Sequence, residues 1–149
     1  MVGDLMARFL AEEGFATRPD EARARAVPFL AERANAVFLA FSDERAVGIA
    51  TITTSFGFES GRYAELEDLY VEPAYRRRRI GVALVEAVTS WAAERECEVL
   101  EVVIAGPADS QPRRAEWWLR RGWVDDGRRL LGRRLSPNAS RRTSEMPME

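Results

Sequence analysis

The sequence predicts an α+β protein in which helices flank a mixed β-sheet. Two patterns predict this class. Between residues 64 and 104 an apolar strand, an amphipathic helix and a second apolar strand follow one another, the order of a right-handed parallel crossover. Before that unit, a short apolar run and a run rich in Val, Ile and Thr flank the turn Ser42–Arg45, which indicates an antiparallel pair. A sheet that holds both kinds of pairing is mixed.

The first half of the chain is predicted to hold two helices and three strands. Apolar residues share one face of residues 2–14, and Gly14 suits the end of that helix. Pro19 lies near the first turn of a second helix over about residues 19–34. The predicted apolar stripe of this second helix is Ala26, Val27, Leu30 and Ala34. The predicted strands are Val37–Phe41, Val47–Ser55 and Ala64–Val71.

The second half is predicted to alternate helices with strands. From Ile80 to Ala92 the apolar residues follow helical spacing for about four turns. The apolar run Val99–Ile104 is typical of a strand buried on both faces. A fourth helix, with Pro112 in its first turn, is predicted to end at Gly122.

The C-terminal part is predicted to add a last hairpin to the sheet and to end in a disordered tail. Trp123–Val124 and Leu130–Leu135 predict a last hairpin around the turn Asp126-Gly127. Residues 1–135 would then form one domain, and the polar residues 136–149 a disordered tail.

Composition excludes several kinds of chemistry. The 149 residues carry a net charge of −2 with a pI of about 5.4, which argues against a basic nucleic-acid-binding domain. The chain has no His and no Lys, so a catalytic histidine, a histidine metal ligand and a Schiff-base lysine are excluded. The single Cys97 excludes an internal disulfide and a multi-cysteine metal site. No apolar run reaches the roughly 18 residues of a membrane span, and we expect a cytoplasmic protein without metal, membrane or nucleic-acid partners.

The stretch YRRRRIGVAL, residues 75–84, lies where the third predicted strand gives way to the third helix. The first backbone N–H groups of a helix have no partner inside it, and the helix dipole adds partial positive charge there. A phosphate at this junction would be held by backbone donors. Gly81 leaves room for its close approach, since a Cβ would stand in the way.

The spacing Arg78-x-x-Gly81-x-Ala83 resembles the pyrophosphate-binding motif of the GCN5-related N-acetyltransferases, the GNAT superfamily. The strand, proline and aromatic that precede this motif in the family match residues 66–75 here. The resemblance extends over about residues 37–135 and implies a GNAT-like fold with acetyl-CoA as cofactor. Two departures are present. Arg79 stands where many members have a small residue, and the family's usual strand before the first helix is not predicted.

The resemblance implies which residues hold the cofactor. Backbone groups of Leu69, Tyr70 and Val71 would pair with the amides of the pantetheine arm, and an N–H near Leu69 or Tyr70 would polarise the thioester carbonyl. Arg120 would reach the cofactor from the last helix. The pyrophosphate would be held by backbone groups of Arg76, Arg77, Arg78, Arg79, Ile80, Gly81, Val82 and Ala83.

A carboxylate is expected to take the proton that the attacking amine must lose. Glu67 and Asp68 are the candidates, and Glu67 matches the base position of the diamine and polyamine acetyltransferases. Neighbouring residues of a strand point to opposite faces, so only one can serve unless a bulge intervenes. The alternative is that one of them is a buried structural carboxylate. Glu65 and Glu67 would also bind a cationic substrate.

The last helix departs from the family at its usual acid. A tyrosine four residues before the helix-ending Gly often protonates the departing thiolate, and this position is Trp118 here. An indole cannot do this, so the enzyme would work without the acid, use Tyr70 or water, or be a weak catalyst. Trp118 is expected to form core and the wall of the substrate pocket.

The function implied by the resemblance is transfer of acetyl from acetyl-CoA to a primary amine of a small polycation by direct attack in a ternary complex. Residues 53–71 are similar to diamine and polyamine acetyltransferases, and residues 76–91 to aminoglycoside acetyltransferases. Acetylation of a peptide or ribosomal protein, a non-catalytic acyl-CoA-binding module and nucleic-acid binding through the arginines are the alternatives. A homodimer is a further expectation, since dimers are frequent in the family.

Overall fold

The computed structural model describes residues 1–135, and the predicted tail lies outside them. It confirms the predicted order of helices and strands as far as the fourth helix. A short 3-10 turn, Pro73–Tyr75, follows the third strand. The helices are α1 (Val2–Glu12), α2 (Pro19–Ala31), α3 (Ile80–Glu94) and α4 (Gln111–Leu119). The strands are β1 (Asn35–Ser42), β2 (Arg45–Gly57), β3 (Gly61–Val71) and β4 (Val99–Val102).

The strands form one mixed sheet in the order β1-β2-β3-β4. β1 and β3 both pair with β2 in antiparallel fashion, and β4 pairs with β3 in parallel. The mixed sheet of the predicted α+β class is therefore confirmed. Within residues 1–135, no helix is long and apolar enough to cross a membrane.

Two neighbouring residues of β2 show that α1 and α3 cover opposite faces of the sheet. Ile49 is fully buried in a cluster with Leu5 of α1. A Cβ on its neighbour Gly48 would lie 3.2 Å from side-chain atoms of Ile80 and Leu84 on α3. Since neighbouring strand residues point to opposite faces, each helix has its own face, and the absent side chain at Gly48 lets α3 lie close.

The predicted stripe of α2 is wrong, because Val27 and Leu30 are exposed. This helix contains Pro28 and packs on α1 through small residues instead. Ala22 is its buried residue. A Cβ on Gly3 of α1 would come within 2.7 Å of the Arg23 Cα, so the two helix backbones are in close contact.

The predicted burial of the last parallel strand on both faces is also wrong. β4 ends at Val102, and Val99 and Val103 are 41% and 43% exposed. β4 is the edge of the sheet among the described residues, so no strand lies along its outer side to cover them.

The predicted last hairpin does not form, since residues 123–135 contain no strand. Asp125 accepts a hydrogen bond from the Gly127 N–H at 2.9 Å, and Asp126 accepts one from the Arg128 N–H at 3.1 Å. The Arg128 N–H, which would begin the ladder after the predicted turn, is thus already used within the turn. Arginine pairs also flank Leu130-Leu131, so the segment has no alternating apolar face. By backbone contacts the chain divides into two compact units, Met1–Val103 and Ile104 onward. One domain over residues 1–135 therefore stays a prediction.

Candidate active site

β3 contains a β-bulge at Glu67. Thr51 of β2 lies opposite Asp68, whereas Ile52 lies opposite Leu66. The two consecutive residues of β2 therefore face three residues of β3, and Glu67 is the extra one. This irregularity is the condition under which both neighbouring carboxylates can face the same side of the sheet.

Two threonines of β2 show that both carboxylates do face the same side. Thr51 and Thr53 are two residues apart, so their side chains share a face, which is also the face of Ile49 and α1. The Thr51 hydroxyl donates to the Asp68 carboxylate. The Thr53 hydroxyl donates to Glu67 Oε1 at 2.7 Å. The bulge thus unites two side chains that a regular strand would separate.

Two more carboxylates lie beside this pair. Glu65 lies opposite Thr53 on one side and opposite Glu101 of β4 on the other. Burial raises the pKa of Glu65, and the charges of Glu67 and Glu101 raise it further. Burial also raises the pKa of Asp68; the Thr51 hydrogen bond opposes this shift, and the charge of Glu67 adds to it. We call these four side chains (Glu65, Glu67, Asp68 and Glu101) the carboxylate face.

The carboxylate face has no ion-pair partner among residues 1–135. In the described part of the chain, none of its four members takes part in an ion pair. Glu72 shows the contrast, because this buried carboxylate is paired with Arg8 at 2.5 Å and with Arg45 at 2.8 Å. A cluster of carboxylates without an ion-pair partner among the described residues is suited to a cationic ligand.

Among residues 1–135, β3 has no strand partner on its β4 side after Leu66, and we call this side of residues 67–71 the open edge. The parallel pairing covers only Tyr63–Leu66, whereas β3 continues to Val71. The Glu72 N–H donates to the Val47 carbonyl at 2.8 Å, so the backbone groups of Tyr70, two residues before, also face β2. Leu69 and Val71 alternate with them and present their backbone groups to the open edge, where the Val71 carbonyl already accepts a hydrogen bond from Arg76 Nε at 2.8 Å. An extended ligand can add to this edge as a further strand.

The N-terminus of α3 offers free backbone donors. The first intrahelical bond is donated by the Ala83 N–H to the Arg79 carbonyl at 3.0 Å. The N–H groups of Ile80, Gly81 and Val82 therefore have no acceptor within the helix. The Arg79 side chain does not cap them either. This arrangement suits an anionic group.

We call Arg76–Arg79 the arginine loop, and two of its residues adopt the left-handed conformation. Arg77 has φ +61° and Arg79 has φ +62°. Glycine adopts this region without penalty, whereas another residue is strained there by about 1 kcal/mol. The larger side chain at Arg79, noted as a departure in the sequence, therefore stands at a position whose backbone favours glycine.

The side chain of Arg76 ties the loop to the rest of the first unit. Its Nε donates to the Val71 carbonyl at 2.8 Å, and its Nη2 contacts Glu12 of α1 at 2.5 Å. Its guanidinium also lies over the Tyr70 ring. Arg78 lies over the Tyr75 ring with 5.3 Å between guanidinium and centroid. The arginine run is thus partly used for internal contacts.

Tyr70, proposed as an alternative acid, is buried beneath α1. Its ring packs on Phe9 with centroids 5.6 Å apart, and 6% of the residue is exposed. Burial raises the pKa of its phenol, and a hydrogen bond to Glu12 raises it further. These surroundings favour the protonated phenol over the phenolate and leave it little exposed.

Trp118 and Arg120 belong to the second unit. The Trp118 ring lies between those of Trp117 and Trp123, each with centroids 4.8 Å away. Arg120 pairs with Glu116 at 2.5 Å. Their predicted roles toward substrate and cofactor stay predictions.

Sequence reasoning missed the two threonines that hold the carboxylates. The available signal was the Thr-x-Thr alternation of residues 51–53 beside the Leu-Glu-Asp run of residues 66–68. Sequence reasoning also missed Glu72 and its two arginines, since residues far apart in the chain form this cluster.

The chain matches the family model described as acetyltransferase (GNAT) family over residues 4–123. No curated protein sequence matches it. It is similar to the solved structure of an integron cassette protein from the mobile metagenome of Cole Harbour Salt Marsh, with 25% identity, a TM-score of 0.76 and coverage of 91% of this chain and 84% of that one.

Two enzymes with lower identity share the fold. One is the aminoglycoside N-acetyltransferase AAC(6')-Iy in complex with CoA, with 20% identity, a TM-score of 0.69 and coverage of 80% and 79% of the two chains. The other is the ribosomal-protein-alanine N-acetyltransferase from Brucella melitensis biovar Abortus 2308, with 23% identity, a TM-score of 0.66 and coverage of 88% and 92%.

Proposed function

Since the chain belongs to the GNAT family of acetyltransferases, we propose that it moves the acetyl group of acetyl-CoA to a primary amine of a small polycationic substrate. Members of the family use acetyl-CoA, and the chain is an acetyl-CoA-dependent N-acetyltransferase. The polycationic acceptor is inferred from one observation: among residues 1–135, no member of the carboxylate face takes part in an ion pair.

The first unit has groups that fit the cofactor. The uncapped N–H groups of Ile80, Gly81 and Val82 would hold the pyrophosphate, together with backbone groups of the arginine loop. Leu69 and Val71 would pair with the pantetheine arm at the open edge of β3. When bound, acetyl-CoA supplies the acetyl group as a thioester that an amine can attack.

Glu67 is the proposed base. An alkylamine has a pKa near 10 and is mostly protonated at pH 7, so it must lose a proton before it attacks. Glu67 is exposed and held by Thr53 through Oε1, which leaves Oε2 for the amine or for a bridging water. Asp68 is more buried and is already bonded to Thr51, so it is less accessible to the acceptor amine than Glu67.

Leu69 is the proposed donor to the thioester carbonyl. Its backbone faces the open edge, whereas the Tyr70 N–H is directed to β2. This difference favours Leu69 over Tyr70, the other residue that the sequence left open. A preorganised N–H at the reacting carbonyl stabilises the charge that develops there.

Water is the proposed proton donor to the departing thiolate. Trp118 has no acidic proton to give, and Tyr70 is sequestered. A thiol with a pKa near 8.5 can leave as the thiolate, so direct attack in a ternary complex proceeds without a side-chain acid.

The acceptor classes are distinguished by their charge. Polyamines, diamines and aminoglycosides carry several amines, which suits four clustered carboxylates. A peptide or ribosomal-protein N-terminus offers one amine and is the second candidate, supported only by the shared fold. Three further roles belong to the proposal. Trp118 would form a wall of the substrate pocket, and Arg120 would contact the cofactor. The protein would act as a homodimer.

The test is thiol release from acetyl-CoA against a panel of polyamines, aminoglycosides and peptide N-termini. Glu67→Gln is expected to lower the rate at pH 7 by about 10²–10⁴-fold, with partial recovery at high pH where free amine is plentiful. Glu86→Gln, an exposed carboxylate on α3, is the matched control. A Glu67→Gln rate equal to that of the unchanged enzyme would dismiss Glu67 as the base. Acetyl-CoA binding without thiol release from any amine would instead support the non-catalytic module.

A further inference from the structure

We infer that Thr53 is the positioning residue for Glu67: its hydroxyl fixes one carboxylate oxygen so that the other faces the acceptor amine. The inference rests on the proposed function, in which Glu67 is the base.

The bulge leaves Glu67 without a cross-strand neighbour. Ile52 and Thr51 lie opposite the residues on either side of it, so no residue of β2 is in register with Glu67. A side chain that is exposed and unpaired across the strand has several rotamers available. The backbone alone therefore does not fix the position of this carboxylate.

The charges around Glu67 are repulsive. Its carboxylate interacts electrostatically with Glu65 and Asp68, and both are acids. Glu101 of β4, opposite Glu65, adds a further acid to the same face. These charges favour rotamers that turn the Glu67 carboxylate away from the face. An attractive contact is needed to hold it there.

Thr53 provides that contact from a rigid position. Its hydroxyl is 2.7 Å from Glu67 Oε1. Its backbone lies in the middle of the sheet, opposite Asn35 of β1 and Glu65 of β3. A β-branched side chain on a strand with partners on both sides has a restricted χ1, so the hydroxyl is itself fixed. One donor thus holds Oε1 and leaves Oε2 for the substrate.

The neighbouring threonine gives a matched control. Thr54 follows Thr53 on the same strand, and its side chain points to the opposite face. Its hydroxyl donates to the Ala34 carbonyl at 3.1 Å rather than to a carboxylate. Thr54→Val and Thr53→Val therefore remove the same group from adjacent positions of one strand, and only the second affects Glu67.

The experiment measures kcat and KM for acetylation of a polyamine. Thr53→Val is expected to lower kcat by about 10-fold, since a hydrogen bond to a charged group is stronger than one between neutral groups and part of the loss is regained from water. KM should change little. Thr53→Ser, which keeps the hydroxyl, should recover most of the loss, and Thr54→Val should match the unchanged enzyme.

The double variant separates positioning from a structural role. In the Glu67→Gln background, Thr53→Val should cause no further loss, since the base it positions is already gone. An equal loss in both backgrounds would overturn the inference, and so would a Thr53→Val enzyme with the unchanged rate beside a slow Glu67→Gln enzyme. A Glu67→Gln enzyme with the unchanged rate would overturn the base assignment itself.

Discussion

At the scale of single residues, Arg79 shows a conflict between side chain and backbone. Its φ of +62° lies in the left-handed region, where a side chain is strained. Arg79→Gly is expected to raise the free energy of unfolding by about 1 kcal/mol, measured by urea denaturation. Arg78 is the matched control, because its φ is not positive. Arg78→Gly should lower stability, and equal effects of the two substitutions would show that the backbone of the loop is not strained.

Asp68 makes stability depend on pH. Burial raises its pKa above the ordinary value of 3.8, so folding favours the protonated carboxyl. The resulting cost of ionisation is absent below the unfolded pKa and grows as pH rises through the folded pKa. Asp68→Asn cannot ionise and keeps an acceptor for Thr51. Its free energy of unfolding, relative to the unchanged protein, should therefore increase from acidic to neutral pH in urea denaturation. Parallel pH profiles of the two proteins would contradict this.

At the scale of elements, a substitution at the N-terminus of α3 should lower CoA affinity without lowering the stability of the protein. Gly81 lies in the first turn and does not have a positive φ, so its backbone accepts a side chain. Gly81→Glu places a carboxylate beside the free N–H groups, which stabilises the helix. The same carboxylate repels the pyrophosphate and competes for its donors. CoA affinity, measured by calorimetry, should fall by about 100-fold or more while the thermal midpoint holds or rises.

Ser90→Glu is the control for that substitution. It adds the same side chain at an exposed position of α3, far from the first turn. It should leave CoA affinity unchanged. Equal CoA affinity in Gly81→Glu and the unchanged protein would sink the assignment of this helix terminus to the pyrophosphate.

Elements set by local sequence were predictable, and features set by pairing between distant segments were not. The helical spacing from Ile80 to Ala92 and the loop motif before it depend on neighbouring residues alone, so α3 and the uncapped donors at its N-terminus could be located. The bulge at Glu67 could not, because Leu-Glu-Asp fits an unbroken strand equally well and its register is set by β2. The predicted last hairpin failed because apolar pattern and turn residues did not outweigh the local bonds of Asp125 and Asp126.

At the scale of the whole molecule, charge is divided along the chain. Residues 1–75 contain 7 Arg and 13 acidic residues, whereas residues 76–149 contain 15 Arg and 11 acidic residues. The carboxylate face and the arginine loop both lie in the first unit. One unit therefore contains both an acidic and a basic region, which fits the proposed pair of a cationic acceptor and an anionic cofactor.

Salt should weaken both attractions. Between about 0.1 and 1 M salt the Debye length falls from about 10 Å to about 3 Å, so charges beyond direct contact no longer attract the substrate. The KM of a polyamine acceptor should rise several-fold over this range, and that of a monoamine of similar length much less. The KM of acetyl-CoA should also rise, because the arginine loop is screened. The kcat should change little, since salt screens short contacts within the ternary complex less than attraction at longer range. Equal salt dependence for polyamine and monoamine would show that a single carboxylate, and not the whole carboxylate face, binds the acceptor.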